Sequence, residues 1–364
     1  MPKLVAALTA LTVACTLGER VWARPRGQTR PAQEHAPQAT DPTQPTKTWS
    51  PTRTADGQPD LEGVWVNLSA TPFERPKALE GRAQLTDEEV VELKRRADRI
   101  FKDGNADISL GDSYFLTALA NPAQHRSATG SQRTSVYQVD REFEKQTSLI
   151  VDPPDGRLPP QTAEARRKRA DAAARDRAAA SPEDLNNNVR CITPGLPRVG
   201  PGASGDPLYG YYQIFQSRGY VVVLMETFHD ARIIPLDGRA HVGAGIRQWL
   251  GDSRGRWEGN TLVVETTNMK NLNATNDSSS LVFGTAGDKA RVLERFTRLD
   301  ADTIDYQITV EDPVTYTKTW TASIPMSKLG GQVFEYACHE GNYAMPGILG
   351  GQRAQEAAAQ KSTR

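Results

Sequence analysis

Residues Tyr220–Asn268 read YVVVLMETFHDARIIPLDGRAHVGAGIRQWLGDSRGRWEGNTLVVETTN, and this stretch decides the fold. Tyr220–Glu226 is an apolar, valine-rich run of strand length. Arg232–Pro235, Ile246–Leu250 and Thr261–Thr267 are three more, with turn residues at Asp237-Gly238 and over Asp252–Asn260. Immediately upstream, Tyr211–Gln216 meets Tyr220–Glu226 across Ser217-Arg218-Gly219, which predicts a tight hairpin. Downstream, Arg291–Leu299 and Thr303–Glu311 flank Asp300-Ala-Asp302, and Tyr316–Ile324 and Val333–Tyr336 complete the series. Short strands with turn chemistry between them predict a mainly β domain, an antiparallel barrel or a curved β-sandwich. No glycine-rich phosphate loop joins a strand to a helix, so a nucleotide-binding fold has no support.

Alternation within these runs assigns faces. In Thr303–Glu311, Ile304, Tyr306, Ile308 and Val310 share the buried face. The hairpin partner offers either Val292, Glu294, Phe296 and Arg298 or Leu293, Arg295, Thr297 and Leu299, and both sets carry a charge inward. Tyr220, Val222, Leu224, Glu226 and Phe228 form the bulky face of their strand, which also turns Glu226 inward. Inward charges must be paired or hydrogen-bonded, at a wet cleft or as interior ion pairs.

Outward from the strands, Gly57–Asn67 predicts a short strand, and a Thr86/Glu89 capping box starts a helix over 87–101. Val90, Leu93, Ala97 and Ile100 are its apolar stripe. Residues 105–133 read as a polar loop holding His125, followed by strands near Ser135–Val139 and Thr147–Val151. Residues 152–160 and 190–207 are proline-rich corners that act as arms over one end of the domain. The Ala/Arg segment 162–180 has no apolar stripe and reads as an exposed helix or charged loop. The expected organisation is a signal peptide over 1–23, a proline-rich disordered tether over 24–55, one β-rich domain over 56–349 with one or two peripheral helices, and a flexible tail over 350–364.

The leader rests on Lys3, the short apolar run LVAALTALTVACTL and the small residues of Val21-Trp22-Ala23. It predicts export to the periplasm or beyond, while Cys15 keeps a lipoprotein as the lesser alternative. No segment reaches transmembrane length. The chain carries 44 basic and 44 acidic residues, a balance that argues against nucleic acid as a partner. Export leaves Cys191 and Cys338, which read as a disulfide or as two buried thiols.

The polar residues suggest three kinds of chemistry. His229, with Asp230 and Glu226, makes a candidate catalytic group, since an imidazole beside carboxylates can exchange protons near neutral pH. Arg232, Arg239, His241, Trp249, His339 and Glu340 are candidate substrate-binding residues. Metal binding by His229, His241 and His339 with Glu226 or Asp230 competes, but no recognised ligand spacing supports it, and no metal or other cofactor is expected. Nucleophilic catalysis is weaker still, with Ser253 and Ser217 in turns and no G-x-S-x-G.

The segments GQPDLEGVW, DPPDGRLPP, RCITPGLP, HDARIIPLDGR, QWLGDSRGRWEGNTLVVETTN, ERFTRLDADTIDYQITVEDP and FEYACHEGNY occur here in that order. In this they resemble a family of exported bacterial proteins known as hypothetical proteins. The resemblance runs from about residue 57 to 347 and implies that these segments form one unit. It implies no activity, cofactor or catalytic residue. Three functions stay open, the first leading and the other two its rivals. One is a cofactor-independent acid–base enzyme (lyase, isomerase or hydrolase) acting on a small organic substrate. Another is a lipocalin-like module for an apolar or amphipathic small molecule, and the third is a structural or interaction protein of the cell envelope.

Overall fold

Burial alternates along the strands, and that pattern builds the sheet. The structure, a computed structural model, describes residues 49–101, 113–123, 141–177, 179–185, 187, 189–193, 195–196, 198–199, 210–270 and 289–362. The expected leader, Cys15, the expected tether up to residue 48, His125 and the strand expected near Ser135–Val139 lie outside them. The strands are β1 (Gly63–Val66), β2 (Ile150–Asp152), β3 (Tyr211–Ser217), β4 (Tyr220–Met225), β5 (Asp230–Pro235), β6 (Asp252–Glu258), β7 (Thr261–Thr267), β8 (Arg291–Arg298), β9 (Thr303–Glu311) and β10 (Trp320–Leu329). They form one ten-stranded sheet in the order β5-β4-β3-β1-β10-β9-β8-β7-β6, with β2 added on β10. Every paired neighbour is antiparallel. The domain is mainly β, and its sheet is barrel-like and nearly closed.

The two terminal strands of that order, β5 and β6, meet at a seam. Arg232 on β5 donates to Ser253 on β6 at 3.1 Å. Further along, a Cβ on Gly255 would stand 2.8 Å from Ile234 Cγ2 and 2.6 Å from Leu236 Cδ2. Residue numbers rise together on both strands, so β5 and β6 run the same way. The 237–251 connection must therefore cross back outside β6, which explains how Arg254 comes to donate to the Ala240 carbonyl at 3.2 Å. Among the described residues the ladder does not bridge this seam.

Large side chains fill the barrel. Trp65, Trp320, Phe296, Tyr306 and Tyr212 are all buried there, with Phe296 and Tyr306 stacked at 4.5 Å. A lipocalin-like lumen is thus not what these residues build. The face of β9 is as expected, and β8 turns Val292, Glu294, Phe296 and Arg298 inward. On β4 the expectation is reversed. The fully buried face is Val221, Val223 and Met225, while Val222, Leu224 and Glu226 are only half-buried. Both faces of β4 are apolar, so alternation alone could not choose between them.

Other boundaries also differ. Residues 252–258, read as turn, are strand β6, and residues 246–250 and 333–336, read as strands, are turn and irregular chain. The last sheet strand starts at Trp320 rather than Tyr316. Residues 49–55, expected in the tether, are folded: Pro51 is buried, and Thr54 N–H donates to Gln58 O at 2.9 Å.

There are four helices among the described residues rather than one or two: α1 (Asp87–Phe101), α2 (Ser113–Ala120), α3 (Ala163–Arg177) and α4 (Ala344–Ser362). The Thr86/Glu89 capping box starts α1 with bonds of 2.9 and 3.2 Å. Leu93, Ala97 and Ile100 are buried on α1, and Leu93 and Ala97 join Phe115 and Ala118 of α2 in a second, smaller core. Residues 350–362, expected as tail, belong to helix α4, which buries none of its residues and is tied to the body where Arg353 donates to the Ala179 and Ala180 carbonyls at 3.2 and 2.9 Å.

Candidate functional site

At the β5-start end of the seam lies a cleft of about 670 Å³. Asp230–Ile233 of β5 form one wall and residues 248–253, leading into β6, the other. Cys191–Thr193 and Phe228 close it. Cys191 is joined to Cys338 by a disulfide with 5.7 Å between the Cα atoms. Asn342 holds the same corner, donating to Val189 O at 2.9 Å and contacting Cys191 Sγ at 3.1 Å.

Beneath the cleft is a buried ion pair. Arg232, 4 % exposed, engages both carboxylate oxygens of the fully buried Glu294, one at 2.8 Å. Its Nη2 also reaches Ser253 Oγ at 3.1 Å and Thr266 Oγ1 at 3.0 Å, and Tyr306 donates its hydroxyl proton to Glu294 at 2.5 Å. Burial opposes the Arg232 charge, but Glu294 and the two tyrosines hold the guanidinium's pKa above its ordinary value. Burial and the Glu294 charge push the Tyr306 phenol up as well. Arg232 Nε, also buried, has no hydrogen-bond partner among the described residues. A second ion pair joins Asp230 to the buried Arg198, whose carbonyl accepts from Tyr212 at 3.3 Å. Burial raises the Asp230 carboxyl despite Arg198, Thr193 and His229.

The chain enters this site in an unusual conformation. Phe228 and His229 have φ of 63° and 51°, and Cys191 has 54°. These are three of the five non-glycine residues with positive φ among the described residues, and all three line the cleft. Each such residue costs of order 1–2 kcal/mol.

The structure gathers His229, Asp230, Arg232 and Trp249 of the sequence candidates around this cleft, with Cys191 beside them. His229 is exposed, and its ring takes no hydrogen bond among the described residues, whereas Trp249 is half-buried with Lys270 Nζ 4.2 Å over its ring. The other candidates are elsewhere. Glu226 accepts the Phe334 N–H at 2.9 Å. Arg239 clamps Asp237 within its own exposed turn. His241 sits in the crossover, with Asp252 2.8 Å from Nδ1 and Glu265 3.3 Å from Nε2. His339 and Glu340 are exposed beyond the disulfide.

Among the described residues no group of three or more His, Cys, Asp and Glu is arranged to hold a metal ion. No described helix is long and apolar enough to cross a membrane. Glu294, Thr266, Thr193 and Arg198 were not among the sequence candidates. Only Glu294 left a signal, as a charge on the Val292/Phe296 face. Comparison with protein-family models, with curated proteins and with solved structures finds no match.

Proposed function

We propose that the chain is an exported ligand-binding module whose small organic ligand sits in the seam cleft, with His229 at its mouth to exchange a proton. The observation that carries this reading is the convergence of three strained, non-glycine residues on one cleft, since folds retain such strain where a site must be held in shape. The buried charges there are already matched within the protein, Arg232 by Glu294 and Asp230 by Arg198. Phe228, Ile233, Trp249 and Leu250 are left to set the ligand's character, which favours an uncharged, apolar or amphipathic body. The leader-like residues 1–23 and the Cys191–Cys338 bridge support a place outside the cytoplasm.

Acid–base turnover would rest on His229, because Asp230 and Glu226 are engaged elsewhere. The test is a thermal-shift screen of uncharged organic compounds against the full chain, repeated on Trp249→Ala and His229→Gln. Ligands of this cleft should raise the melting temperature of the parent and of His229→Gln but not of Trp249→Ala. Any turnover found with them should fall by roughly 10²–10⁴ in His229→Gln. Hits that shift all three proteins alike would remove the cleft as the site.

A further inference from the structure

We infer that the ligand of the seam cleft is an extended peptide segment, bound by strand addition to the edge of β5 that no ladder covers among the described residues; this rests on the cleft being the site. Four consecutive residues, Asp230 to Ile233, line it. Side chains of a strand alternate between faces, so an unbroken run of lining residues means that the cleft looks onto the strand's edge. The register shows which backbone groups that edge presents. Leu236 N–H donates to Gly219 O at 2.9 Å, one position beyond the Tyr220↔Pro235 pair. Hydrogen-bonded pairs alternate in an antiparallel ladder, so Asp230, Arg232 and Ile234 also direct their amides and carbonyls to β4. On the far side of β4, Glu226 N–H donates to Tyr211 O at 3.1 Å, which fixes the same alternation independently. Ala231 and Ile233 therefore turn their N–H and C=O groups toward the seam.

The next outward position is Pro235, which has no N–H, and there Ile234 and Leu236 close on Gly255. At the other end Asp230 is tied to Arg198. The open edge is thus two donor–acceptor pairs spaced two residues apart. A peptide of three extended residues matches all four groups, pairing one residue with Ala231 and another with Ile233. Because the charges beneath are neutralised internally, the geometry suits an internal, uncharged segment rather than free termini. Ile233, 65 % exposed, and Trp249 would flank its side chains.

The experiment uses the ¹⁵N-labelled full chain and a pool of N-acetylated, C-amidated tetrapeptides of Ala, Val, Leu and Phe. Saturable amide shifts centred on Ala231 and Ile233 are expected, and N-methylating the peptide nitrogen that faces Ala231 should weaken binding at least tenfold. Ala231→Pro removes an outward N–H without touching the pairing with β4, and should give a similar loss. The N-methyl series keeps the test open if that variant folds poorly. Unmoved Ala231 and Ile233 amides, or binding indifferent to N-methylation, would overturn the inference. If uncharged organic molecules still bind in a Trp249-dependent way, the peptide is wrong and the cleft stands. If neither class binds, both readings fall.

Discussion

The middle and the upper end of the β5–β6 seam are closed by different physics. In the middle Ile234 and Leu236 pack onto Gly255, where a side chain of even one carbon would meet Ile234 at 2.8 Å. That closure is a matter of shape. At the upper end Arg232 crosses to Ser253, Thr266 and Glu294, and a cleft remains above it. Shape leaves no room for a ligand, whereas an ion pair holds two strands together while keeping them apart. The difference teaches why the cleft lies beside the ion pair and not at the seam's apolar middle.

The largest expected effect separates these closures. Glu294→Ala leaves the Arg232 guanidinium buried and unpaired, and should cost about 3–5 kcal/mol in urea unfolding. The double variant Arg232→Met, Glu294→Leu should recover most of that loss, because a buried pair contributes little net stability over apolar residues of similar volume. Gly255→Ala should cost about 1–3 kcal/mol through crowding, and Leu236→Ala should relieve part of it. If Glu294→Ala proved milder than Gly255→Ala, the ion pair would not be what closes the upper end.

A pH series sharpens the same comparison, since Ile234, Leu236 and Gly255 carry nothing that titrates. Asp252, beside the cleft, is partly opposed by burial, but His241, the Val242 amide and Arg254 hold its carboxyl below its ordinary value. Its contribution is present above about pH 4 and is lost as pH falls through the depressed folded value. The opposite sign belongs to Glu144, remote from the seam. Burial raises it to about 7 against hydrogen bonds from Ser69 and Thr71. Stability favoured by its protonated form is present below the ordinary glutamate value and lost as pH rises through about 7. Glu144→Gln should remove that loss, of order 3 kcal/mol, and leave the acid limb to Asp252. Urea midpoints measured from pH 3 to 8 would show it. An unchanged alkaline limb in Glu144→Gln would place the loss elsewhere.

Particular residues show what was legible in the sequence. The α1 stripe and the β9 face follow from spacing, because one side of each is polar. Both faces of β4 are apolar, so only its pairing with β3 and β5 decides that Val223 faces in. Strand β6 looks like a turn because Asp252, Ser253 and Gly255 are turn residues, yet Ser253 and Gly255 are used in the seam and Asp252 holds His241 of the crossover. Arg232 was visible as a charge near a strand. Its partner lies sixty-two positions away, and no local pattern carries that distance. The sequence also suggested His229, His241 and His339 as one group. The crossover and the disulfide loop separate them, because the parallel approach of β5 and β6 cannot be seen before the sheet order is known.

The smallest expected effect on stability is at His229, and it tests whether the strained corner serves a ligand. The side chain is exposed and makes no hydrogen bond among the described residues, so His229→Gln should move stability by less than about 1 kcal/mol. His229→Gly should go further and stabilise by about 0.5–1 kcal/mol, because glycine adopts φ near +51° without steric cost. A residue kept at a position where glycine would be more stable is held there by something other than the fold. The chemical denaturation midpoint and the affinity for a cleft ligand should then move in opposite directions: His229→Gly more stable and weaker in binding, His229→Gln nearly unchanged in both unless a proton is exchanged. If His229→Gly loses stability, the imidazole packs in a way that supports the corner, and the strain is structural. If it gains stability and binds as well as the parent, the corner's conformation owes nothing to the ligand, and the upper end of the seam is only a gap between two strands.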